Sequence, residues 1–184
     1  LAFLAMALFA VYMYRKGEKS HPNKIALFWT IGASIVSFVG AGLLGFAHTL
    51  PQTNIYTHGT LVTAMHGHYA FWGAYAMIVL AIISYAMPNM TGRKLYDSTR
   101  GHMAFWLSNV GMLGMTVAFG VAGVAQVYLE RKMKLDFMDV QNEIAIHFVV
   151  LLVCATLFTT GITLYIIEFI KYGKPTDEAL VKEE

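Results

Sequence analysis

Two histidines separated by one glycine, His66-Gly67-His68, stand inside an almost unbroken apolar run over residues 61–87. Imidazole is both a proton carrier and a common metal ligand. Placing it in a run of that length is costly, so it reads as functional by default. The spacing narrows the chemistry. At 3.6 residues per turn, positions i and i+2 point about 200° apart. Two ligands for one small ion need the i, i+3 or i, i+4 spacing that brings side chains onto one face. The pair therefore does not grip a single ion. Each imidazole can instead hold its own group on its own side of the helix, and two hemes sharing one helical wall would be such an arrangement, since neutral imidazole is an axial ligand of heme iron. Gly67 leaves room for flat groups on both sides. Hydrogen bonding to neighbouring helices accounts for the same histidines equally well. Spacing alone leaves both readings open.

The elements that must position these residues follow from composition. The chain is 57% hydrophobic and 13% charged, about half the usual charged share of roughly 25%, with a mean hydropathy of +0.56. Apolar stretches of about 20 residues recur, the length that crosses a hydrocarbon core. The predicted fold is all-α, an integral membrane helical bundle with four complete transmembrane helices plus one truncated. The complete spans are expected over residues 24–47, 58–87, 101–128 and 144–170. Pro22-Asn23 opens the first and Pro88 closes the second, which begins at His58 or Thr60. Residues 1–14 rise only about 21 Å, short of the core thickness. They read as the tail of a helix that continues from an upstream part of a larger subunit. Short connections give an up-and-down bundle, and residues 173–184 form a polar tail.

Charge sets the orientation. Arg15, Lys16, Lys19, Lys24, Arg93, Lys94, Arg100, Lys171, Lys174 and Lys182 fall on one side, and Arg131, Lys132 and Lys134 on the other. By the positive-inside rule the first group is cytoplasmic, with the C-terminus, and the His66/His68 end lies near the outer face. The net charge of +2 resides in loops beside the membrane and marks no nucleic-acid partner. The single cysteine, Cys154, allows neither an internal disulfide nor a zinc cluster and reads as a small packing residue.

Further candidates are weighed by position. His58 lies eight residues before His66, about 12 Å along a continuous helix, which takes it to the membrane surface as an acidic-group contact or a solvated side chain. Tyr56, Tyr69, Trp72 and Tyr75 suit a pocket edge or an aromatic belt. His48, His102 and His147 occur at span ends and His21 in a loop, where structural roles are expected. Glu168 is expected to snorkel to the cytoplasmic surface. Asn109 and Gln126 are read as interhelical hydrogen-bonding groups, and Gly32, Gly40, Gly42, Gly45, Gly111, Gly114, Gly120 and Gly123 as sites of close helix approach. The charged loop over residues 130–143 is solvated or meets a partner.

The segments Tyr56-Thr57-His58-Gly59-Thr60, Met65-His66-Gly67-His68-Tyr69 and Phe71-Trp72-Gly73-Ala74-Tyr75-Ala76-Met77 resemble the tenth helix of a known family. Ile82-Ile83-Ser84-Tyr85-Ala86-Met87-Pro88 and Ala122-Gly123-Val124-Ala125-Gln126-Val127 extend the likeness. The family is the large catalytic, cytochrome b subunit of bacterial cytochrome c-dependent nitric oxide reductases, within the heme-copper oxidase superfamily. The resemblance implies that the chain is the last part of a 12-helix subunit. It implies that His66 is the catalytic proximal ligand of high-spin heme b3. His68 would be one axial ligand of low-spin heme b, whose second ligand lies outside this chain, and His58 a contact to the heme b3 propionates. Two NO, two electrons and two protons would give N2O and water. Electrons would come from a membrane-anchored cytochrome c subunit at the outer face of a bacterial inner membrane. The family's non-heme iron is held by three histidines and a glutamate upstream, and this chain shows no such cluster, so turnover requires the upstream part of the subunit. The alternatives are an oxygen-reducing oxidase or NO dismutase of the same superfamily, a non-catalytic di-heme membrane cytochrome, which the i, i+2 ligands disfavour, and a cofactor-free transporter segment.

Overall fold

The computed structural model describes residues 2–17, 23–92 and 98–172, and among them all regular structure is helical. Helix α1 spans Ala2–Lys16. Helix α2 runs over Lys24–Thr49 and α4 over Leu61–Thr91, with the short helix α3, Pro51–Thr57, between them. Helix α5 covers Thr99–Lys132, α6 covers Phe137–Glu143 and α7 covers Ala145–Tyr172. Four of these, α2, α4, α5 and α7, are long and apolar enough to cross a membrane. The all-α membrane bundle expected from composition is the architecture found. His21 and the tail over residues 173–184 lie outside the described residues.

Consecutive long helices run antiparallel and pack side by side, α2 on α4, α4 on α5 and α5 on α7. Trp29 of α2 is fully buried at the centre, with Trp72, Phe105 and Tyr165 presenting ring edges at 6.1, 5.1 and 5.6 Å. Glycine lets the backbones close in around it. A Cβ on Gly40 would sit 2.8 Å from the Ala70 nitrogen, and one on Gly73 would sit 2.5 Å from the Ser37 nitrogen. Gly111 meets the backbone of Phe158 in the same way. Without hydrophobic drive between helices in lipid, such close packing is a main source of association.

Of the two starts expected for α4, His58 or Thr60, the second is found, with His58 outside the helix, while its expected end at Pro88 is not. Gly59 takes the left-handed region at φ 73°, and the Thr60 side chain accepts the Val62 N–H at 3.3 Å, starting the helix at Leu61. Pro51 stands in the first turn of α3, where its missing N–H leaves no helical bond unmade. Pro88 does not end α4, which continues to Thr91 and stops at Gly92, φ 64°. A proline inside a helix leaves the carbonyl four residues earlier without its donor. Here that carbonyl belongs to Ser84, and the side-chain amide of Asn23 donates to it at 2.8 Å. Asn23 is buried, and its Oδ1 also caps α2 by accepting the Ala26 N–H at 3.0 Å.

Candidate functional site

His66 lies one and a half turns into α4 and faces α2. Its Nδ1 is 2.9 Å from the carbonyl oxygen of Gly40. A carbonyl only accepts, so Nδ1 is the donor, and the neutral ring in this tautomer has its lone pair on Nε2. The closeness of α2 and α4 at Gly40 brings that carbonyl within reach. The segment Phe38–Leu44 of α2 that includes Gly40 is a π-helix, a local widening found mostly as short bulges and often at functional sites.

His68 faces the other way. Its ring lies 4.9 Å from that of Phe119 on α5, and its Nδ1 is 2.8 Å from the Ala64 carbonyl of its own helix. By the same reasoning its Nδ1 is the donor, and the neutral ring in this tautomer offers Nε2. Beside it opens a cavity of about 560 Å³ lined by Ala64, Gly67, His68, Phe71, Trp72, Ala76, Met112 and Phe158. Trp72 is buried and held in that wall by its indole N–H, which donates to Asn109 Oδ1 at 3.1 Å. A Cβ added at Gly67 would meet nothing within 4 Å, so the strip between the two histidines is open. The two imidazoles therefore leave one helix toward different neighbours, as the helical period predicts.

These features fit a metal-bearing planar group. Metal-ligating histidines characteristically donate the second ring N–H to a carbonyl or carboxylate, which fixes the tautomer and raises donor strength. Both His66 and His68 have that partner in place. The apolar walls beside His68 suit a flat hydrophobic body.

His58 is exposed and shares a shallow cavity of about 470 Å³ with Pro51, Asn54, Ile55 and Arg131. Gln126, at the end of α5, ties this region together. Its Oε1 accepts the Leu61 N–H at 2.9 Å, and its Nε2 donates to Glu130 Oε1 at 2.8 Å. Asn109 and Gln126 thus serve as the interhelical bonding groups read from sequence. Tyr56 and Tyr75 are exposed, Tyr75 stacking on Phe71 at 5.0 Å, and Tyr69 packs against the core.

His48, expected from its place at a span end to be structural, lies beside the site. The ring of His48, on α2, stacks on that of His66 with centroids 4.9 Å apart and planes 25° apart. Glu168 also departs from expectation. It is buried rather than snorkelling, because Arg100 pairs with it at 3.5 Å. His102 packs its ring against Phe28 at 5.2 Å, and His147 Nδ1 lies 3.1 Å from the Ile144 carbonyl. The Cys154 thiol packs where Gly114 leaves space on α5. Among the described residues, no three histidine, cysteine, aspartate or glutamate side chains gather as a metal site.

An all-α multi-pass bundle with two such imidazoles on one helix defines a membrane protein that can carry cofactors between its helices. Residues 2–168 match the family described as cytochrome c and quinol oxidase polypeptide I, and the chain belongs to that family. Membership implies heme cofactors. The chain is 40% identical over 182 residues to a nitric oxide reductase subunit of Stutzerimonas stutzeri, covering 95% of this chain and 38% of that protein. It is 33% identical over 86 residues to cytochrome c oxidase subunit 1 of Corynebacterium diphtheriae, covering 47% of this chain and 15% of that protein. The chain thus spans well under half the length of either relative.

Proposed function

We propose that this chain is the heme-binding part of a membrane nitric oxide reductase, in which two NO, two electrons and two protons give N2O and water. One observation carries the reading: His66 and His68 leave a single helix toward different neighbours, each with Nδ1 engaged by a carbonyl. The similarity to the Stutzerimonas stutzeri nitric oxide reductase protein over 95% of the chain supports the choice of reaction.

In this reading His66 is the proximal ligand of heme b3 and His68 an axial ligand of heme b, its second ligand coming from outside this chain. Bound there, the hemes would supply one-electron redox chemistry. The protein's own part is positional. The Gly40 and Ala64 carbonyls hold each imidazole in the tautomer that offers Nε2. The two ligands are separated by about 3 Å of axial rise on one helix, which keeps their relative placement rigid. Phe71 and Trp72 line the apolar cavity on the His68 side. His58 contacts the heme b3 propionates, and Arg131 adds a positive charge to the same cavity. The non-heme iron and its ligands belong to the upstream part of the subunit. A membrane-anchored cytochrome c subunit delivers electrons at the outer face of a bacterial inner membrane, with the C-terminus cytoplasmic, as the basic residues indicate.

A second reading, an oxygen-reducing oxidase, is favoured by the match to cytochrome c oxidase subunit 1, though over only 47% of the chain. The test is turnover by the complete enzyme. NO should be consumed with N2O released, and His66→Ala should abolish the reaction. NO turnover that survives in H66A would place the reacting centre elsewhere.

A further inference from the structure

His48 is 18 residues before His66 in sequence and on a different helix, yet their rings lie face to face at 4.9 Å and 25°. Its Nδ1 is 2.8 Å from the Leu44 carbonyl, and its Nε2 is buried without a hydrogen-bond partner among the described residues. A carbonyl partner again makes Nδ1 the donor. The carbonyls that anchor the two rings, Gly40 and Leu44, both belong to the π-helical segment Phe38–Leu44, four residues apart. Both imidazoles therefore hang from one strip of backbone. Gly45 completes the arrangement, because a Cβ there would come within 3.3 Å of His66 Cε1.

We propose that His48 is a positioning residue for His66: its anchored ring forms the surface against which the His66 imidazole lies, and so sets the plane that imidazole presents to a bound iron. One hydrogen bond to Gly40 leaves the His66 ring free to pivot about the N–H···O line. A second flat ring pressed on its face removes that freedom. Offset stacking at this separation is the geometry aromatic pairs favour. The orientation and donor strength of an axial imidazole are among the levers by which a protein tunes heme iron. His68 faces α5 and lies outside this clamp.

The inference rests on His66 holding the high-spin heme, and the test separates the two. In the complete enzyme, His48→Leu removes the flat ring while keeping apolar bulk, and His48→Phe keeps a flat ring without the nitrogens. The readouts are the iron–histidine vibration of the reduced high-spin heme, by resonance Raman, and the midpoint potentials of both hemes. H48L should shift or broaden that band and move the high-spin potential. H48F should keep the band close to wild type, and the low-spin potential should hold in both. A wild-type band in H48L, or an equal change in H48L and H48F, overturns the role of His48. Should H48L fail to assemble, His48→Asn replaces it with the same expectations. His66→Ala is the control: a high-spin heme that persists in H66A sinks the ligand assignment itself. Loss of that heme in H66A with an unchanged band in H48L removes only the role of His48.

Discussion

His66 and His68 are two residues apart, yet each meets a different helix. His66 is bonded to Gly40 of α2, and His68 packs on Phe119 of α5. A substitution at one should therefore leave the surroundings of the other intact. His68→Ala is expected to remove the low-spin heme spectrum from the complete enzyme while the high-spin heme remains. Loss of both spectra from a folded H68A enzyme would mean that the two side chains do not serve separate groups. The opposed directions were legible in the sequence because the helical period alone determines them once the run is known to be helical. The His48 contact was not. It depends on how closely α2 and α4 cross at Gly40 and on the π-helical turn, and neither leaves a mark at position 48 itself. The pairing of Glu168 with Arg100 was hidden for a similar reason, since its partner lies 68 residues away on another helix.

Among the helices, the join between α2 and α4 turns on Asn23. Its amide donates to the Ser84 carbonyl that Pro88 cannot serve, while its oxygen caps α2. Asn23→Asp keeps the capping oxygen and loses the donor, setting a carboxylate oxygen against a carbonyl. A buried acceptor left without its donor costs about 1–3 kcal/mol. N23D should therefore lower the thermal midpoint of the complete enzyme, followed by loss of heme absorbance. Pro88→Ala restores an N–H to Ser84, so it should recover part of that loss in the N23D background. Strict additivity of the two changes would show that the residues are not coupled. The crossing at Gly40 is equally specific. Gly40→Ala would place a methyl 2.8 Å from the Ala70 nitrogen, an overpacking expected to cost about 1–3 kcal/mol. It should also disturb the high-spin heme spectrum, because the His66 bond spans the same gap. An unchanged melting midpoint and spectrum would contradict the close approach. The signals for the α3 turn were present in sequence, Pro51 at a helix start and Gly59 before a capping Thr60. They are read correctly only when the apolar run is not extended back to His58. Pro88 misleads in the opposite direction, since its usual meaning as a stop is cancelled by a residue 65 positions earlier.

Taken together, the four long helices place the C-terminal end of α2, the start of α4, the end of α5 and the start of α7 on one side. His48, His58, His66, Gln126 and Arg131 gather toward that side, and Asn23, Pro88, Arg100 and Glu168 toward the other. The up-and-down arrangement was legible from apolar run lengths and short connections, because hydrocarbon thickness leaves a chain little choice. In the proposed orientation the histidine side faces away from the cytoplasm. A reporter fused after Glu184 should read cytoplasmic, and one inserted near Lys134 should read external; the reverse would invert the bundle and detach it from an external donor. The most direct test is heme and metal analysis of the natural assembly that contains this chain. Two b-type hemes and one non-heme iron per assembly, without copper, are the predicted content. Copper in place of that iron would contradict the nitric oxide reductase reading in favour of an oxidase, and one heme or none would contradict the assignment of His66 and His68 as ligands of separate hemes.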